Sequence, residues 1–236
     1  LFRLESHEGL LHLDPRWHHA FSQFVISGFN HILDGIDHIL FVICVLIPFR
    51  KFTSLILLVT SFTLGHSITL ISSVFGMVPN FLWFPPLIEL LIAISIVYMA
   101  IENILGSFWK KRWIVVFSFG LVHGYGFSFA LAETLQFAGE HLITSLFAFN
   151  LGVEIGQLII VVIVVPIINF LFKRVLSEKI GSIIISALVA HTAWHWMMNR
   201  AAQLSEYNFV MPMVNYNSTI YFLKWLLLLI IIGGIL

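Results

Sequence analysis

The sequence predicts an all-α, polytopic membrane protein with seven transmembrane helices, its N-terminus outside and its C-terminus inside. Three observations predict it. Of 236 residues, 59% are hydrophobic and 10% charged, against about 25% charged in soluble domains, and the mean hydropathy is +0.99. Apolar stretches of the roughly 20 residues that cross a bilayer recur along the chain. Lys and Arg gather in alternate connections, as the positive-inside rule requires.

Residues 1–20, "LFRLESHEGLLHLDPRWHHA", are polar enough to stay outside the bilayer. Leu4, Leu10, Leu11 and Leu13 suit a short amphipathic surface helix. His7, His12, His18 and His19 then lie on the outer side, in a solvated lead-in or a metal-collecting antechamber. The start at Leu1 rather than Met predicts a processed or truncated product. The first residues lack the basic segment and apolar core of a signal peptide.

Residues 21–236 form the transmembrane domain. The predicted spans are 24–48, 53–75, 84–106, 113–135, 142–172, 180–199 and 217–236. Proline and glycine punctuate the connections, as in "GMVPNFLWFPP". The fifth span is long enough to tilt or to run past the bilayer near Pro166. Arg50 and Lys51 follow the first span, Lys110, Lys111 and Arg112 the third, and Lys173, Arg174 and Lys179 the fifth. The sixth is followed by Arg200 alone. Trp83, Trp109, Trp113, Trp194 and Trp196 fall near span ends, as interfacial anchors do. Zero net charge argues against nucleic acid as a partner. A single cysteine, Cys44, permits no disulfide framework and almost no thiolate metal chemistry, so it reads as a packing residue.

Ionisable groups inside membrane helices are costly and mark function. The first span holds His31, Asp34, Asp37 and His38, the second His66, the third Glu89, the fourth His123. The fifth holds Asn150, Glu154 and Gln157, the sixth His191 and His195. At about 100° per residue, His31 and His38 point within about 20° of each other on a straight helix, Asp34 about 60° and Asp37 about 120° from His31. Asn150, Glu154 and Gln157 share a face by their i, i+4, i+7 spacing. His191 and His195, at i, i+4, have the spacing at which two imidazoles of one helix clasp a metal. With the orientation above, these groups fall at similar depth, in the outer half of the bundle. Almost no Lys or Arg accompanies them, and a metal ion supplies the missing counter-charge.

Structural readings stand beside these. His66 or His123 alone reads as an interhelical hydrogen-bond partner. Glu102 and Glu133, near span ends, read as snorkelling carboxylates. The small residues of "FGLVHGYGF" suit close helix packing. Nitrogen and oxygen donors without thiolate fit nickel, zinc, cobalt or ferrous iron better than cuprous copper. The donors exceed the four of a closed zinc site, which leaves room for a second ion or a hand-off path.

The stretches "GFNHILDGIDHILF" (28–41), "SFTLGHSITL" (61–70), "IELLIAISIVYMAIEN" (88–103), "FGLVHGYGFSFAL" (119–131) and "FNLGVEIGQL" (149–158) together resemble the HupE/UreJ family, from about residue 24 to 172. The family's HxxxGxDH hallmark is matched by His31, Gly35, Asp37 and His38; Asp34 falls at a free position. The resemblance implies nickel uptake for hydrogenase and urease, in a bacterial inner membrane. "HTAWHWM" resembles the subset with an extracytoplasmic segment before the first helix. The His191/His195 pair departs from the shorter nickel permeases.

The leading expectation is a divalent transition-metal permease, with nickel first. His31, Asp37, His38 and Glu154 capture the ion, and His66, His123, His191 and His195 complete or relay the site. Asp34, Glu89, Asn150 and Gln157 are further candidates. The alternative is an intramembrane zinc-dependent hydrolase acting on lipid or another membrane-embedded substrate, with Asp37 or Glu154 as general base, which resembles the alkaline ceramidase and adiponectin-receptor superfamily in architecture and ligand type. A metal-bound accessory subunit is a third reading. Expected partners are membrane lipid, the metal ion, and a metallochaperone or a second copy of the chain.

Overall fold

The structure is a computed structural model that describes residues 17–49, 51–79, 81–106, 111–135, 141–207 and 220, with the side chains of 129–135 outside the description. The described residues form helices α1 (Trp17–Asp34), α2 (Ile36–Leu46), α3 (Phe52–Val74), α4 (Phe84–Leu105), α5 (Arg112–Leu135), α6 (Leu142–Arg174) and α7 (Glu178–Ser205), with no strand among them. The helices α3, α4, α6 and α7 are each long and apolar enough to cross a membrane, and α1 with α2 qualifies as one broken span. The protein is an integral membrane protein.

The first predicted span differs most from expectation. The chain is already helical at Trp17, the first described residue, and the helix breaks at Gly35 with a bend of 73° between α1 and α2. Gly35 leaves helical geometry, at φ −79° and ψ 95°. The space where its Cβ would stand is crowded by His38, Asp37 and the His31 carbonyl. A glycine inside an apolar run does not itself say whether the helix continues or turns. The last predicted span, 217–236, lies outside the described residues apart from Ile220, as do His7, His12, Trp109 and the side chain of Glu133.

Helices pair as α1 with α6, α3 with α5 and α4 with α7. Small residues permit two of these contacts, as they do between membrane helices generally. Where α1 crosses α6, a Cβ on Gly28 would strike the Phe149 carbonyl, and one on Gly152 the Val25 carbonyl. Where α3 crosses α5, Gly65 and Gly120 lie against the backbone of Phe117 and Phe62. Beyond its first turn α2 is apolar all round, and from Ile39 onward its residues are buried or half-buried. Its Val42 and Leu46 pack with α1, α3 and α6, and its Phe41, Cys44 and Val45 with α3, α4, α5 and α7. At 1.5 Å per residue, α6 is about 50 Å long, well beyond the ~30 Å hydrocarbon core, and it continues past Pro166, which lies inside it.

Two residues read as lying at the membrane edge are inside. Arg112 opens α5 and is buried, with its Nε 3.6 Å from a Glu102 carboxylate oxygen. Glu102 is also buried and so does not snorkel. Trp196, expected as an interfacial anchor, lines an open cavity, and α7 continues about two and a half turns beyond it.

Candidate metal site

The bend at Gly35 folds the end of α1 against the start of α2. It brings the His31 and His38 rings to 4.7 Å, where the facing of these side chains was expected from a straight helix. From α5, the His123 ring lies 5.2 Å from that of His38. From α3, the His66 ring lies 6.0 Å from that of His31. Ligand atoms of His31, His38 and His66 lie within 4.8 Å of one another, and so do those of Asp37, His38 and His123. His38 belongs to both sets. The Asp37 Oδ1 lies 3.2 Å from His38 Nδ1, an ion-pair distance without hydrogen-bond geometry.

These imidazoles carry unused nitrogens deep in the protein. His38, His66 and His123 are 4%, 0% and 1% exposed. Buried polar atoms nearly always find a partner. Yet His31 Nε2, both nitrogens of His38, both of His66, and His123 Nδ1 have no hydrogen-bond partner. His123 shows how such a nitrogen is aimed. Its Nε2 lies 3.0 Å from the Ser95 hydroxyl oxygen. That hydroxyl donates its own proton to the Ile92 carbonyl at 2.6 Å. Ser95 therefore accepts from His123 Nε2–H, which leaves the Nδ1 lone pair toward the cluster. A hydrogen bond on one ring nitrogen fixes the tautomer of a histidine whose other nitrogen binds metal. The donors fit a divalent transition metal in type, number and unused capacity.

A cavity of about 590 Å³ adjoins the cluster. His31, Asp37, His38 and His123 face it, together with Asp34, Glu89 and, from α7, Trp196, Asn199, Arg200 and Gln203. Glu89 is held by Arg200, with Nε to Oε2 at 3.1 Å, and both are roughly half exposed.

Of the other sequence candidates, Asn150 adjoins His66, whereas Glu154, Gln157, His191 and His195 take no part in the cluster. The Thr60 hydroxyl donates to Glu154 Oε1 at 2.7 Å, and the Thr63 hydroxyl to Gln157 Oε1 at 3.0 Å. Asn150 Nδ2 donates to the Leu146 carbonyl, while its Oδ1 is buried without a partner. His191 and His195 sit 4.6 Å apart, ring to ring, on the exposed face of α7. The buried side of that helix carries Val189 and Ala193. A two-residue offset turns a helix by about 200°, so the histidine pair points the other way.

The HupE / UreJ protein family model matches residues 7–200. The chain belongs to the HupE/UreJ family. No curated protein and no solved structure matches it. In this HupE/UreJ protein the match extends over α1 to α7 and includes every residue of the imidazole cluster. Nothing in the sequence singles out Ser95 or Arg200 as part of the site. A lone serine in an apolar helix most often bonds its own preceding turn, which Ser95 also does. Arg200 read as a loop cation.

Proposed function

We propose that this HupE/UreJ protein is a permease for a divalent transition metal, with nickel as the first cargo and zinc, cobalt and ferrous iron as others the donors suit. The observation that carries the reading is the set of buried, partnerless imidazole nitrogens beside Asp37, open to a cavity rimmed by carboxylates. A cation entering that cavity meets Glu89, Asp34 and Asp37 before the histidines. Loop charges support a topology with the N-terminus outside and the C-terminus inside. On that topology the cavity is the extracytoplasmic entrance, in a bacterial inner membrane. We place the chain in the family subset with an extracytoplasmic N-terminal segment. The test is uptake of radiolabelled nickel, zinc and cobalt into proteoliposomes, by wild type and His38→Ala. Ion accumulation that His38→Ala abolishes is expected. Tight metal binding with no ion crossing would overturn the reading.

The size of the cavity favours a second reading, an intramembrane hydrolase. About 590 Å³ is far more than a bare ion needs, and it lies in the range of small-molecule sites. Zinc held by the histidines would supply a water of lowered pKa. Asp37, 31% exposed on the cavity wall, would act as general base, whereas Glu154 is held by Thr60. The likeness to known intramembrane hydrolases leaned on the His191/His195 pair, whose outward position favours the permease. Release of fatty acid from outer-leaflet lipids, lost in Asp37→Asn, is the outcome that would select the hydrolase.

A further inference from the structure

The buried ion pair Glu102–Arg112 takes no part in the imidazole cluster, and along α4 it lies on the side of that cluster away from the cavity. α4 serves as a ruler. Glu89, Ser95 and Glu102 follow one another at six and seven residues, about 9 and 10 Å along the axis. Glu89 rims the cavity, Ser95 touches His123, and Glu102 lies one equal step beyond. α2 repeats the step: His38 is in the cluster, and the Cys44 carbonyl, about 9 Å further on, reaches the same ion pair.

Around Arg112, oxygen donors converge. Its Nη2 donates to Asn103 Oδ1 at 2.9 Å and to the Cys44 carbonyl at 3.3 Å, and its Nε faces Glu102 at 3.6 Å. Asn103 also donates to the Cys44 carbonyl, at 2.8 Å. Arg112 is 3% exposed, yet its Nε and Nη1 make no hydrogen bond. A structural clamp gains from full satisfaction, and a half-satisfied buried network is costly. Between cluster and ion pair stand phenyl rings. Those of Phe41 and Phe62 each lie 5.1 Å from the His123 ring, and Phe119 lies 5.9 Å from Phe41. On α2 and α5, Phe41 and Phe119 fall between the cluster residue and the residue at the ion pair.

We propose that Glu102, Asn103 and the Cys44 carbonyl form a second station for the transported cation, at the end of the path away from the cavity, and that Arg112 closes it by occupying the cation's place. The station rests on the permease reading. Removing the guanidinium opens it. Arg112→Gln is expected to bind one more equivalent of nickel or zinc per chain than wild type, and the double variant Glu102→Gln/Arg112→Gln is expected to lose that extra equivalent. In proteoliposomes, Glu102→Gln is expected to keep metal affinity within twofold of wild type while flux falls at least tenfold. The double variant stays without flux because the carboxylate is missing. A structural clamp predicts the opposite for the double variant, since removing both charges leaves neither uncompensated. Recovery of flux there, wild-type flux in Glu102→Gln, or no extra equivalent in Arg112→Gln overturns the station alone. Wild type that binds metal and moves none overturns the permease reading, and the station with it.

Discussion

Replacing Gly35 by alanine tests whether the bend between α1 and α2 builds the site. The backbone there, at φ −79° and ψ 95°, is open to any L residue, so the substitution adds no conformational strain. What it adds is a methyl group, 2.5 Å from His38 Nδ1, 3.0 Å from Asp37 Oδ1 and 3.0 Å from the His31 carbonyl. Carbon at ordinary contact stands about 3.5 Å away, so His38 must move by about 1 Å. It has little room, being 4% exposed and hemmed in by the rings of His31, Phe62 and His123. Overpacking of this kind costs about 1–3 kcal/mol. At about 1.4 kcal/mol per decade, metal affinity is expected to fall roughly tenfold to hundredfold if the displaced imidazole is a ligand. Titration calorimetry with nickel and zinc on the detergent-solubilised protein measures this, with thermal unfolding in parallel. Gly76→Ala is the control. Gly76, at φ +68° with open space around it, lies past the end of α3, ten residues beyond His66. Its substitution is expected to cost about 1 kcal/mol of stability and leave affinity unchanged. Wild-type affinity in Gly35→Ala would refute the bend as the device that positions His38.

Other outcomes follow from the same geometry. Ser95→Ala removes the group that fixes the His123 tautomer, and metal affinity measured by equilibrium dialysis is expected to fall about 10- to 100-fold with the helix content intact. Metal and proton compete for the same imidazole lone pairs, so acidification is expected to weaken binding. Loading the site in weakly buffered solution should release protons, which an indicator dye records. His191→Ala/His195→Ala is expected to leave the affinity of the cluster within twofold of wild type, because the pair faces outward. A tenfold loss in that variant would place the pair in the site.

The long helices were legible because a bilayer leaves few alternatives. Backbone groups must be satisfied within the segment, so apolar runs of sufficient length become helices. Helix phase was less legible. The i, i+4 spacing of His191 and His195 suits a metal, but only packing decides which face of α7 turns inward, and Val189 and Ala193 do. Arg112 sits in "KKRW", which reads as a cationic loop, yet α5 begins with it and carries it into the bundle. The turn at Gly35 depends on contacts with His38 and Asp37 that exist only once the chain has turned.

The cost of burying ionisable groups selected many residues along this chain, and compensation now sorts them. Glu154 and Gln157 are met by threonine hydroxyls of α3. Glu89 is met by Arg200, and Glu102 by Arg112. Those pairings join residues far apart in the chain, and a single sequence gives no hint of which hydroxyl or cation arrives. His31, His38, His66 and His123 are different: each is partly or wholly buried, and each keeps a nitrogen with no hydrogen-bond partner. Protein groups have already answered the carboxylates elsewhere, whereas these histidines fall in two sets, His31/His38/His66 and Asp37/His38/His123, each with ligand atoms within 4.8 Å that could hold a metal ion. A buried polar atom without a partner costs about 1–3 kcal/mol. On the proposed permease reading, a metal ion that arrives later offsets this cost, since neutral imidazole lone pairs beside one carboxylate are the donors a divalent cation takes.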